Sequence, residues 1–118
     1  MPSARAVLAK ATSEEELLIA ITDALTLYQY VWTHTRRSDK AILMGHAGVP
    51  DIIAAKSGVV LMAELKAAGE QLTSEQYRWL RAAGWLDVET QWGSSRRIRP
   101  FLWRPADLDA ALAELSRP

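Results

Sequence analysis

From residue 13 onward apolar positions recur at helical spacing. Leu17, Ile21, Ala24 and Tyr28 stand three or four residues apart, flanked by Leu18 and Leu25, the stripe of an amphipathic helix. Ser13 and Glu16 form a capping-box signature at its start, with Ser13 as N-cap and Glu16 reaching back to it. Glu14 falls on the apolar side of this helix and Glu15 roughly opposite. The period then changes. "YQYVWTH", rich in β-branched and aromatic residues, reads as a strand, and "TRRSDKAILMGHAGVP" as a loop. Two apolar arms, 51–56 and 59–66, meet at Ser57-Gly58, the signal of a β-hairpin. A loop, "AAGEQL", leads to a second helix, "TSEQYRWLRAAG", with a capping box at Thr73 and Gln76 and a glycine stop at Gly84. "WLDVETQW" and "IRPFLWRP" read as strands around a "GSSRR" turn. "ADLDAALAEL" reads as a closing helix, begun by Asp107 or by the Pro105 turn. Residues 1–12 read as a loose lead-in, and no internal repeat or low-complexity tract interrupts the pattern.

At 118 residues the pattern describes one α/β domain, large enough to bury a core without staples. The absence of cysteine excludes disulfides and thiolate metal sites. No apolar run approaches the roughly 18–20 residues of a membrane span. The N-terminal stretch carries no signal-peptide core, so a cytoplasmic protein is expected. Lys plus Arg and Asp plus Glu both number 14, whereas nucleic-acid binders often carry net positive charge. The charges are nonetheless clustered: Arg36, Arg37 and Lys40 in one group, Arg96, Arg97 and Arg99 in another, with acids at Glu14–Glu16 and near the C-terminus. There is no phosphate-binding glycine loop, dinucleotide fingerprint or nucleophile elbow.

The candidate chemistry lies at the open end of the hairpin. Side chains alternate along a strand, so Glu64 and Lys66 share a face and Leu65 takes the other. The two arms bring Asp51 to the same end. Two carboxylates and a backbone carbonyl suit Mg²⁺, which takes few protein ligands and keeps several waters. Such an ion activates water and stabilises phosphoryl charge, while a lysine beside it orients or deprotonates the water or offsets developing charge. The other reading of the same spacing is a surface salt bridge, Glu64 to Lys66, on an edge strand.

Gly48-Val49-Pro50-Asp51 followed by Glu64-Leu65-Lys66 resembles the PD-(D/E)XK nuclease superfamily. More narrowly, the chain resembles the virus-type replication–repair nuclease (VRR-NUC) family over about residues 13–109. The shared motifs include Ser13-Glu14, Trp32-Thr33-His34-Thr35-Arg36, Leu72-Thr73 with Gln76, and Trp103-Arg104-Pro105. The resemblance implies a restriction-endonuclease-like core, a central mixed sheet of about four strands with helices on both faces. It implies metal ligation by Glu14, Asp51, Glu64 and the Leu65 carbonyl, with Glu16 as the second candidate for the helix-one acid. It makes Asp51, Glu64, Lys66 and Gln76 the catalytic set. The activity implied is a Mg²⁺- or Mn²⁺-dependent DNA endonuclease of phage or bacterial type, leaving a 5′-phosphate. It would act on junctions or flaps as a homodimer.

The chain departs from the family pattern where "WLDVETQWGSSRRIRPF" intervenes, read as an inserted hairpin carrying Arg96, Arg97 and Arg99 toward DNA backbone or a second subunit. His34, Arg36, Arg37 and Lys40, with Trp32, are the candidate nucleic-acid contacts, joined by Arg96 and Arg97; solvated loops are their other reading. His46 lies near the proposed site without an obvious partner. Trp79 is expected to pack, and Trp92 to be exposed or intersubunit. A non-catalytic DNA-binding or assembly module on the same fold, and a nuclease acting on RNA, are the alternatives.

Overall fold

The computed structural model describes residues 13–35, 44–86 and 96–117. Its elements are α1 (Glu14–Leu27), β1 (Val31–His34), β2 (Ile52–Lys56), β3 (Val59–Leu65), α2 (Ser74–Ala82), β4 (Ile98–Trp103), a 3₁₀ turn (Pro105–Asp107) and α3 (Leu108–Leu115). The strands form one mixed sheet in the order β1-β2-β3-β4. The first two pairings are antiparallel and β3 with β4 is parallel. A parallel neighbour needs a long crossover, and the segment carrying α2 supplies it. The fold is thus mixed α/β, with a four-stranded sheet flanked by three helices.

One face of the sheet holds the core. Registers Ile52↔Ala63, Ala54↔Leu61, Ala63↔Phe101 and Leu65↔Trp103 align these side chains. Against them pack Leu17, Ile21, Ala24 and Leu25 of α1 and Ala111 and Leu115 of α3. The apolar stripe of α1 is therefore the stripe that the sequence pattern predicts. Phe101 and Trp103 stack with ring centroids 4.7 Å apart, filling the β4 side of this layer. On the other face the alternate residue of β3, Glu64, meets Gln76 of α2, so helices cover both sides.

Turn chemistry sets the ends of the elements. Ser13 accepts the Glu16 amide and caps α1. The helix stops where Gln29 takes φ +66 and the Tyr30 amide returns to the Leu25 carbonyl. That left-handed residue delays β1 to Val31, three residues later than the β-branched and aromatic composition suggests, because the helical turn claims Tyr28 first. Ser57 and Gly58, both at positive φ, make the two-residue turn that matches strand twist. Arg104 and Asp107 start the C-terminal turn, the Asp107 carboxylate accepting the Arg104 amide at 2.8 Å, so Pro105 opens the 3₁₀ turn and α3 follows. Gly84 ends α2 at φ +107, as expected. Trp85 and Leu86 are not in a strand. The remainder of the expected inserted strand and turn, with Trp92, lies outside the described residues. No described helix is long and apolar enough to cross a membrane.

Two outcomes follow from this packing. Leu17→Ala, at a fully buried position, is expected to lower unfolding free energy by about 2–5 kcal/mol, read by urea denaturation. The Tyr30 hydroxyl donates to the Leu115 carbonyl at 3.1 Å, and burial, then the Glu114 carboxylate, raise its pKa above the usual value. A raised folded-state pKa favours the neutral phenol in the fold. Its contribution is complete below the unfolded pKa of about 10 and is lost as pH rises through the folded value. Urea unfolding from pH 8 to 11 should therefore show a steeper alkaline loss for the wild type than for Tyr30→Phe.

Candidate active site

The β2–β3 register places Asp51 one step beyond Ile52↔Ala63, beside Glu64. Its carboxylate accepts the Leu65 amide at 2.9 Å, and its carbonyl accepts the Thr35 amide at 2.7 Å. Asp51 thereby ties three strands together at one end of the sheet. Strand β3 lies between β2 and β4, so Glu64 and Lys66 are not on an edge. Both are about 98–99% buried, which overturns the surface salt-bridge reading.

Side chains of α2 and of the turn after β3 face these buried groups. The Glu64 carboxylate accepts the Gln76 side-chain amide at 3.4 Å. Gln76 also closes the capping box of α2: its Oε1 accepts the Thr73 backbone N–H at 2.9 Å and its backbone N–H donates to Thr73 Oγ1 at 3.1 Å. The capping and site roles expected of Gln76 thus coexist in one side chain. The Lys66 ammonium lies 3.8 Å from the Glu70 carboxylate. Glu70 folds back across a turn through Gly69, at φ +78, and accepts the Ala67 amide at 3.1 Å. The Arg104 guanidinium holds the turn from the far side, donating to the carbonyls of Ala67 and Glu70. Sequence reasoning missed Glu70 and assigned Arg104 no role. The i,i+4 spacing of Lys66 and Glu70 was the available signal, but it lay in a segment read only as loop.

The loop before Asp51 is fixed against α2. Gly48 takes φ +87, and a Cβ there would lie 2.5 Å from the Glu75 carbonyl carbon and 2.7 Å from the Gln76 nitrogen. Trp79 donates its indole N–H to the His46 carbonyl at 3.1 Å, so His46 contributes backbone and its ring stays exposed. Trp79 packs as expected, half-buried over this loop.

A cleft of about 560 Å³ opens at this end, lined by Ser13, Glu14, Glu15, Leu18, His34, Thr35, Asp51 and Leu65. Glu14 is half-buried in it, whereas Glu16 is exposed and absent from its lining, which favours Glu14 of the two helix-one acids. Glu15, expected on the opposite side, also reaches the cleft, because the cleft crosses the open first turn of α1. The structure therefore gathers Glu14, His34, Asp51 and Leu65 around one space, with Glu64, Lys66 and Gln76 buried beside it at the end of β3.

Among the described residues no three His, Asp or Glu side chains stand close enough together to hold a metal ion. The geometry accounts for this: Asp51 turns to the Leu65 amide, and Glu64 to Gln76. The donor types still suit a hard cation, with Glu14, Asp51 and Leu65 lining one cleft.

Of the cationic candidates, Arg36, Arg37 and Lys40 lie outside the described residues. Arg96 is bound back onto the fold, donating to the carbonyls of Ile98 at 2.9 Å and Ala83 at 3.3 Å, across the space left by Gly84. Arg97 is exposed at the opposite end of the sheet. Trp32 donates to Thr26 Oγ1 at 3.2 Å.

Gly48→Ala is expected to destabilise by about 2 kcal/mol or more, since the added methyl meets backbone atoms at a positive φ. Denaturant unfolding checks this, with Gly45→Ala, where nothing lies within 4 Å of the added carbon, as the positive-φ control.

No protein-family model, curated protein or solved structure matches this chain at a significant level, so the chemistry of the site rests on the arrangement of these side chains.

Proposed function

We propose that this protein is a divalent-metal-dependent DNA endonuclease that hydrolyses phosphodiester bonds in branched DNA, a junction or a flap. One observation carries the reading. The buried polar or charged side chains among the described residues are Asp51, Glu64, Lys66, Gln76 and Arg99, and the first four stand together at one end of the sheet. Burying ionic groups costs several kcal/mol each before partners offset it, and a cluster of them beside a cleft is a mark of function. These four are also the residues that the VRR-NUC resemblance makes catalytic.

Glu14, Asp51, Glu64 and the Leu65 carbonyl would hold Mg²⁺ or Mn²⁺. Bound there, the ion supplies Lewis-acid polarisation of the phosphodiester and a more acidic water. The chain's own contribution is positional. Gln76 fixes the Glu64 carboxylate, and Glu70, braced by Arg104, fixes the Lys66 ammonium. Lys66 orients the attacking water and offsets negative charge that builds on the phosphoryl oxygens. The water oxygen bonds to phosphorus, the bond to the 3′ oxygen breaks, and that oxygen leaves as a hydroxyl, keeping phosphate on the 5′ side. His34, on the cleft wall, would contact the substrate strand. A homodimer would supply the second site that paired cuts across a junction require.

A non-catalytic DNA-binding module is the second reading, and the open donor set among the described residues favours it. Cleavage of a labelled four-way junction, a flap and a plain duplex decides between them. With Mg²⁺ or Mn²⁺ the wild type should cut, and chelation should stop it. Lys66→Ala and Glu64→Gln should lose about two to four orders of magnitude in rate with DNA binding largely kept. Tight binding without cutting under either metal assigns the module instead.

A further inference from the structure

The far end of the sheet carries a second concentration of charge, away from the cleft at Asp51. At the β2–β3 turn, Lys56, Ser57 and Val59 face Tyr30, Arg97, Arg99 and Arg117 around a small cavity of about 220 Å³. Four cations thus converge from three parts of the chain: the hairpin, the start of β4 and the end of α3. In a molecule with zero net charge, that is a local excess.

The cations are held in place. Arg99 is about 94% buried, a costly position for a guanidinium. Its Nε donates to the Arg96 carbonyl at 2.9 Å, and its Nη1 to Glu114 at 3.0 Å. Arg117 meets the other oxygen of Glu114 at 3.1 Å. One carboxylate therefore orients two guanidiniums. Lys56 extends over the Tyr30 ring, 5.1 Å from its centroid. Arg97 is placed by its backbone, whose carbonyl accepts the Val60 amide at 2.7 Å, and its guanidinium reaches over the turn near Gly58. The Ser57 hydroxyl adds a neutral donor beside them.

We propose that this turn-end pocket binds a phosphate group. Planar guanidiniums and an ammonium around a small polar cavity are the donor set for a tetrahedral oxyanion, and the volume is below that of sites for larger organic ligands. The seven residues of β3 separate it from Lys66 by about 20 Å at ~3.3 Å per residue. It is therefore a site distinct from the cleft, and it does not depend on what Asp51, Glu64 and Lys66 do. The phosphate can come from a nucleic-acid backbone or from a free phosphate or phosphomonoester.

The test is binding, with no readout of cleavage. Inorganic phosphate and a twelve-nucleotide single-stranded DNA are titrated by calorimetry into the wild type, into Lys56→Gln/Arg97→Gln, and into Ser57→Asp. The last places a carboxylate in the pocket at a left-handed position that Asp tolerates, so it keeps the turn if the double variant does not fold. Both variants should weaken binding at least tenfold. For the oligonucleotide the slope of log K against log salt should fall by about 1.4 in the double variant, two charges at ~0.7 each. Loss confined to inorganic phosphate assigns a free-phosphate site, and loss confined to the oligonucleotide assigns a backbone contact. Affinities for both probes unchanged in folded variants, or no binding of either probe to the wild type, would overturn the proposal.

Discussion

The structure depends on holding a glutamate and a lysine inside the sheet. Glu64 and Lys66 stand at the end of β3, which is covered on both sides by neighbouring strands. Removing either charge from water is unfavourable unless a partner is supplied. Much of the surrounding architecture supplies such partners. Gln76 reaches Glu64 because Thr73 caps α2 at the right residue. Glu70 reaches Lys66 because Gly69 allows a tight turn and Arg104 braces it. Gly48 lets the preceding loop press onto α2, which in turn sets where Asp51 enters β2.

This arrangement separates the work of the two sheet faces. The α1 and α3 face is apolar and provides stability through Leu17, Ile21, Leu61, Leu65, Trp103 and Leu115. The other face carries Glu64 and its glutamine. Asp51 sits at the end of β2, where the cleft begins. Its carboxylate and carbonyl serve the Leu65 and Thr35 amides at once, so a group proposed for chemistry is also a staple among strands.

The two ends of the sheet carry opposite electrostatic character. Acids from α1 and Asp51, just before β2, line the cleft, and lysine and arginines line the turn-end cavity. Overall neutrality conceals this polarity. A phosphate-bearing ligand would be drawn to the basic end by charge alone, while the acidic end would bind phosphate only with a cation between them. That contrast gives physical content to the metal requirement proposed for the cleft.

Local signals determined much of the fold. The helical stripe of α1, the Ser57-Gly58 turn, the Thr73–Gln76 capping box and the Gly84 stop are all short-range effects, fixed by sterics and hydrogen bonds within a few residues, so they were legible in the sequence. So was the sharing of one strand end by Asp51, Glu64 and Lys66, which follows from strand alternation and hairpin register. The delay of β1 to Val31 was not legible, because the turn at Gln29 overrode the composition of "YQYVWTH". Nor was the interior position of β3, which needs the parallel pairing with β4 across the α2 crossover. Only that tertiary pairing decided that Glu64 and Lys66 are buried, that Glu70 and Arg104 serve Lys66, and that Arg96 folds back while Arg97, Arg99 and Arg117 converge with Lys56. Partners drawn from distant parts of the chain leave no local pattern, since their contact energy is realised only when the sheet has closed.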